Sequence, residues 1–290
     1  MVHKKDRRKD RRVSMTIEDG ETVWEGINCR PLEMAISRMN KNMQKRHPFS
    51  CISLCLQQSK DNADGLRPQS EIHAFLQTHS KFKSENPQQK YATLELIYEN
   101  EGSFVYKVMR KDDSKIFILK LGEENASEGD KEKVRGESAL LAAINSEYLV
   151  NCEEIYEFQS RLFVFLDYME GGSLSAFIND YHKLYSEDTL KYMMFMSAMG
   201  IKSLHDRNVL HRDIKSDNVL CRPSSGEIKL ADLGLAVFLT ENQNWRKTRQ
   251  GTTNWLSPEI VNGVIYSKEV DIWAYGAMLH EMGKGEPPFM

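Results

Sequence analysis

Between residues 211 and 259 the sequence sets down four polar motifs in a fixed order, and this order restricts the fold more than any other feature. The first is His211-Arg212-Asp213-Ile214-Lys215-Ser216-Asp217-Asn218, followed nineteen residues after Asp213 by Asp232-Leu233-Gly234. Gly251-Thr252 and then Ser257-Pro258-Glu259 come beyond a polar segment. Each motif alone is a weak signal; their order and spacing carry the information. Upstream, β-like runs at Ala92–Ile97, Phe104–Met109 and Ile116–Leu121 precede a helical stretch ending near Ile144. Glu154–Gln159 and Leu162–Asp167 are two more strand candidates, and beyond Gly171-Gly172 the pattern is mainly helical. Strands first and helices second predict an α+β chain in two lobes.

Composition narrows the class. The 290 residues are 40% hydrophobic and 28% charged, enough apolar material for a sizeable core. No window approaches the roughly 18 apolar residues of a membrane span, and the charged Met1–Arg12 stretch is no secretory signal. The five cysteines are scattered with no C-x-x-C pair, which predicts free thiols in a reducing, cytoplasmic setting. Charge is unevenly shared: residues 1–90 carry 17 Lys/Arg against 11 Asp/Glu, while 91–290 carry 22 against 31. The split, with the polar Ser84–Lys90 stretch at its border, predicts a basic segment over 1–90 and a separate domain over 91–290. Seven cations between Lys4 and Arg12 predict a solvated tail of about 15 residues. A nuclear-import signal and an anionic-surface contact fit that run too, whereas the lack of aromatics disfavours nucleic acid. Leu32, Ile36, Met39 and Met43 predict an amphipathic helix after Pro31, and Phe49–Leu56 alternates like a strand.

The four motifs resemble, in order and spacing, the catalytic loop, metal-binding loop, activation segment and closing motif of protein kinases. The resemblance implies a two-lobed fold with a small lobe at 91–166, a hinge at 167–172 and a partial large lobe at 173–290. It implies ATP and Mg²⁺ as cofactors, Asp213 as the group that orients and deprotonates the substrate hydroxyl, and Lys215 as the cation on the transferring phosphoryl. Asn218 and Asp232 would hold Mg²⁺, which favours hard oxygen ligands. Lys120 in Ile116–Lys120 would hold the α- and β-phosphates, with Glu137 as its helix partner. Leu166 would be the gatekeeper, Asp167 and Met169 would offer backbone groups to adenine, and Ile97, Gly102 and Val105 would roof the nucleotide. Lys215 and Thr252 go with serine/threonine specificity.

HRDIKSDNVL (211–220), EGGSL (170–174) and VDIWAYGAMLHEMGKGEPPF (270–289) are most similar to the PAK group of Ste-type kinases. Within it Thr248 occupies the activating phosphosite, where a phosphate would pair with Arg212. Expected partners are protein substrates with Ser/Thr near basic residues and an upstream kinase or small GTPase. Arg11-Arg12-Val13-Ser14 offers one such substrate sequence in the chain itself.

Four departures stand out. Tyr98, Asn100 and Ser103 occupy the glycine positions of the nucleotide-covering loop, and a shifted alignment saves Gly102 only by deleting two residues. Ile118 replaces a small alanine, and Leu233 replaces phenylalanine. The chain ends at Met290, short of the family's last helices. Gly136, directly before Glu137, predicts that the helix carrying Glu137 is mobile, its inward position dependent on activation. The leading expectation is a Ser/Thr protein kinase in a signalling cascade. The alternative is a pseudokinase scaffold or inactive fragment that uses the fold for binding.

Overall fold

The computed structural model describes residues 14–18, 21–25, 82–100, 103–122, 136, 138–181, 186–240 and 242–288. Of the small-lobe strands, Ile116–Gly122 shows best why they form: Phe117 and Leu119 are buried while Ile118 and Lys120 turn to the opposite face, the two-residue period of a strand. A six-stranded sheet results. Its strands are β3 (Phe82–Lys83), β4 (Tyr91–Asn100), β5 (Ser103–Arg110), β6 (Ile116–Gly122), β7 (Cys152–Phe158) and β8 (Arg161–Asp167), in the order β3-β7-β8-β6-β5-β4. All neighbours are antiparallel except β3, which lies parallel to β7. The five expected strands are all present, with no end shifted by more than three residues. The helical stretch before Ile144 is seen at 138–143.

One face of the sheet carries an aromatic cluster of Tyr91, Phe117, Tyr156 and Phe165, with Val108 and Leu119. Tyr91 stacks on Phe165 at 3.8 Å between centroids and meets Phe117 edge-on at 5.9 Å. Beside it Glu154, 9% exposed, accepts hydrogen bonds from the Tyr91 and Tyr156 hydroxyls and from Lys83 and Lys90. Burial pushes the Glu154 pKa up, but four donors outweigh it and hold the carboxyl at about 2. This knot pins the strand before Tyr91 to the sheet.

In the large lobe α1 (Leu174–Tyr181) is followed by α2 (Glu187–His205). The Ser186 side chain caps α2 by accepting from Thr189 N; acids occupy its first turn, and Lys202 and His205 its last. A Cβ at Gly200 would lie 2.9 Å from Leu230 Cβ, so glycine lets α2 close on the strand beneath. The helices α3 (Pro258–Val261) and α4 (Glu269–Lys284) follow, and α4 ends at the left-handed Gly285. One core runs from Leu140, Ile144 and Val164 through Met169 to Ile201, Ile214 and Met278. The lobes therefore share apolar packing, and the motif loops lie along that seam.

Two features differ from expectation. The large lobe contains the strands β9 (Val209–Leu210), β10 (Val219–Arg222), β11 (Glu227–Leu230) and β12 (Val237–Phe238), paired as β9-β12 and β10-β11. They are too short for an alternation to register. Near the N-terminus β1 (Ser14–Glu18) and β2 (Glu21–Glu25) form a hairpin that was not expected. The expected helix after Pro31 and strand Phe49–Leu56 lie outside the described residues.

Candidate active site

A buried carboxylate that the motif analysis gave no role anchors the site. Asp271, in the first turn of α4 and 0% exposed, accepts on Oδ2 from His211 N (2.9 Å) and His205 Nε2 (2.8 Å), and on Oδ1 from Arg212 N (2.8 Å). Burial alone would raise its pKa; His205 and the His211 backbone bring it below the usual carboxylate range. The sequence signal was a lone acid between Val270 and Ile272 in an apolar helix, since a buried charge requires partners.

The grip on two successive amides supports a strained backbone. Arg212 has φ +68 and Asp232 φ +62, a left-handed conformation that costs a non-glycine residue roughly 1–2 kcal/mol. Arg212 spends its side chain locally: Nε donates to Leu235 O (2.7 Å) and Nη1 to Thr248 Oγ1 (2.8 Å). The metal-binding loop is tied to the catalytic loop by Ala231 N donating to Asn218 O (2.7 Å) and by the His211 ring at Ala231 O (2.9 Å).

Around Asp213 the predicted residues converge. Its Oδ1 accepts from Thr252 Oγ1 (2.6 Å), and its Oδ2 faces Lys215 Nζ (3.0 Å) and Asn218 Nδ2 (3.0 Å). Lys215 Nζ also donates to Thr252 Oγ1 (2.7 Å), and Asn218 Nδ2 to Asp213 O (2.8 Å). Burial pushes the Asp213 pKa up, but Thr252, Lys215 and Asn218 outweigh it, so the carboxyl stays ionised at neutral pH. Thr252 reaches Asp213 because Gly251, at φ +120, passes so close that a Cβ would lie 2.7 Å from Arg212 O.

Asp232 is half-exposed. Its Oδ1 accepts from Gly234 N (3.3 Å) and lies 3.7 Å from Lys120 Nζ. Asn218 spends its amide nitrogen on Asp213, which directs its carbonyl oxygen to another partner. Together they give two hard oxygen donors, and among the described residues no group of three His, Cys, Asp or Glu forms a protein-only metal cage. That donor set fits a small divalent cation completed by phosphate oxygens and water.

The nucleotide side is less furnished. Val105 lies opposite Lys120 in the β5–β6 register. Leu166 and Met169 are buried, and Asp167 binds Lys229 Nζ at 2.7 Å. Ile97 falls in a β4 irregularity, between Leu96↔Tyr106 and Tyr98↔Val105, and is 49% exposed. Pairing runs on to Asn100↔Ser103, leaving two residues between the strands. Leu233 is buried in the shared core, so leucine fills the phenylalanine position. Glu137 and Gly102 lie outside the described residues, so neither the Lys120–Glu137 pair nor a contact at Gly102 is described.

Residues 91–290 match the model of the protein kinase domain. The chain belongs to the protein kinase family. It is 37% identical over 169 residues to the serine/threonine-protein kinase SKM1 of Saccharomyces cerevisiae, covering 55% of this chain and 26% of that protein. It is 33% identical to pakA of Talaromyces marneffei, over 71% of this chain and 31% of the relative. To STE20 of Saccharomyces cerevisiae it is 34% identical, over 71% of this chain and 21% of that protein. All three are named Ser/Thr protein kinases, which agrees with the PAK-type resemblance. The chain spans at most about a third of their length. Among the described residues no helix is long and apolar enough to cross a membrane.

A second residue of α4 also went unnoticed. Glu281, 6% exposed, accepts from Ser216 on Oε1, while its Oε2 is buried, as is the indole nitrogen of the neighbouring Trp255. Burial and the nearby Asp217 charge raise its pKa against the Ser216 bond. Its signal was a glutamate among the apolar residues Met278, Leu279 and Met282.

Proposed function

We infer that this chain is a Ser/Thr protein kinase that transfers the γ-phosphate of Mg-ATP to protein hydroxyls. The observation that carries this reading is Asp213, kept ionised by Thr252, Lys215 and Asn218 within 3.0 Å. A substrate hydroxyl at Asp213 loses its proton to that carboxylate as its oxygen bonds to the γ-phosphorus; the bond to the β–γ bridging oxygen breaks and ADP leaves. Lys215 offsets the charge on the transferring group, and Lys120 holds the phosphates. Asn218 and Asp232 would hold Mg²⁺, which neutralises charge on the phosphate oxygens when bound.

Regulation through Thr248 has electrostatic support. Arg212 already donates to its hydroxyl, while burial and the Arg212 charge lower the pKa of Arg246. Arg212 at that hydroxyl, and the Arg246 charge that it repels, would gain from a phosphate of about −1.5 to −2 charge. An upstream kinase is the matching partner. The exposed Asp217, two residues beyond Lys215, supplies an acid that favours basic residues in a protein substrate. The expected border at residue 90 moves: residues 82–90, which add β3 to the sheet and two lysines to Glu154, fold with the kinase domain, and the basic segment lies ahead of them.

A pseudokinase scaffold is the second reading, favoured by the missing glycines over the nucleotide. Labelled-phosphate transfer to a basic Ser/Thr peptide, comparing wild type with Asp213→Asn, separates the two. Transfer that falls at least about 10³-fold in the variant supports the kinase. Absence of transfer from wild type, with nucleotide still bound, supports the scaffold.

A further inference from the structure

The hinge is held along its outer side by the β10–β11 hairpin. Gly171 N donates to Cys221 O (3.0 Å) and Cys221 N to Gly172 O (2.9 Å). A Cβ at Gly171 would lie 2.6 Å from Pro223 Cδ and 2.7 Å from Cys221 Sγ, so the approach requires glycine. The most directed contact belongs to Arg222. Its Nη2 and Nε both donate to the Tyr168 carbonyl, at 2.9 and 3.2 Å. Its Nη1 donates to Glu227 Oε2, which lies opposite it in the hairpin register, and its Nε is 3.5 Å from Glu170 Oε2. Two carboxylates thus fix the guanidinium plane, and the carbonyl takes the paired donors. From the small lobe, Lys107 Nζ sits 4.8 Å from the centroid of the Tyr168 ring, within cation–π range. Tyr168 is gripped from both lobes, by its ring and by its carbonyl.

The carbonyl matters because of peptide planarity. In a trans peptide the C=O of one residue and the N–H of the next point in opposite directions. Holding the Tyr168 carbonyl outward therefore aims the Met169 N–H inward, the group expected to donate to adenine. We propose that Arg222 is a positioning residue for nucleotide binding: it orients the Tyr168–Met169 peptide, and Lys107 steadies the same residue from the small lobe. This rests on the kinase reading above. It gives the chain a way to order the adenine end of the nucleotide where the phosphate roof lacks glycines.

The test uses the full chain with Arg222→Gln and Arg222→Lys. Without nucleotide, the Met169 amide order parameter is expected near 0.85 in wild type, below about 0.6 in Arg222→Gln and between them in Arg222→Lys. With nucleotide, Arg222→Gln is expected to raise KM for ATP about tenfold, the loss of one charge-assisted contact, with kcat and peptide KM within about twofold of wild type. Arg222→Lys, which keeps the charge but not the paired donors, should recover part of the ATP effect. An unchanged Met169 order parameter overturns the proposal, as does a fall in kcat or a rise in peptide KM in step with ATP, since either marks a general structural role. If wild type transfers no phosphate, the kinase reading fails by itself, and the nucleotide-free order parameter still decides the role of Arg222.

Discussion

The catalytic loop and the β4–β5 hairpin face the same cleft but are built differently. Asp213, Arg212 and Asp232 are tied to a buried carboxylate, a glycine-enforced contact and the neighbouring loops, all within one continuous core. The hairpin holds mainly through its own ladder, with two register shifts in β4 and with Leu94, Leu96, Ile97 and Tyr98 each about half exposed. The first region tolerates left-handed backbone because surrounding packing over-determines it. The second has little around it to impose a conformation, so its local sequence decides what it can do. The surroundings of Asp213 are thus anchored by long-range contacts, whereas the hairpin is left to its own ladder.

The largest effect should follow from cutting the anchor. Asp271→Ala removes the acceptor of three hydrogen bonds and leaves the His211 and Arg212 amides buried without partners. Losing one side of such a buried charged network costs about 3–5 kcal/mol, and the left-handed Arg212 would lose its support. Equilibrium urea unfolding should show that loss together with abolished phosphate transfer. A loss under about 1 kcal/mol would mean that the loop holds itself and that the contrast with the hairpin is wrong. On Tyr98, a change of similar size in volume should leave stability nearly unaltered.

That contrast also explains what was legible in the sequence. The small-lobe strands were readable as short apolar runs between turns, and in β6 burial also alternates, at Phe117 and Leu119. The convergence on Asp213 was readable because motif order carries it: Gly251-Thr252 is adjacent in sequence to nothing it touches, yet it belongs to the family pattern. Asp271 and Glu281 had no role because an acid flanked by apolar residues in a helix shows no partner until the chain folds over it. Arg222 was invisible for a different reason. Its partner is a backbone carbonyl at Tyr168, and a carbonyl carries no residue identity. The short strands β9 to β12 escaped because two to four residues cannot display a period.

A middle-sized effect should come from giving the hairpin back what it lacks. Tyr98 is 54% exposed, and Tyr98→Gly would cost only about 0.5–1 kcal/mol in strand entropy while freeing the backbone to approach phosphates. KM for ATP should fall about tenfold, the contribution of one or two added hydrogen bonds, with kcat little changed. If KM rises or stays constant in steady-state kinetics, the tyrosine contacts nucleotide in its own right, and the hairpin is a substitute roof rather than an impaired one.

The smallest effect concerns Glu281, a buried acid of the well-anchored region. Burial raises its pKa above the ordinary glutamate value, so folding favours the protonated form. The stability that this adds is complete below the unfolded-state pKa of about 4.3 and is lost as pH rises through the higher folded value. Glu281→Gln keeps an acceptor for Ser216 without the charge. Relative to the variant, wild type should therefore lose stability as pH rises into the neutral range, by about 1 kcal/mol, measured as the difference in urea midpoint across that range. A midpoint difference that stays constant across the range would mean that burial does not set the protonation of Glu281.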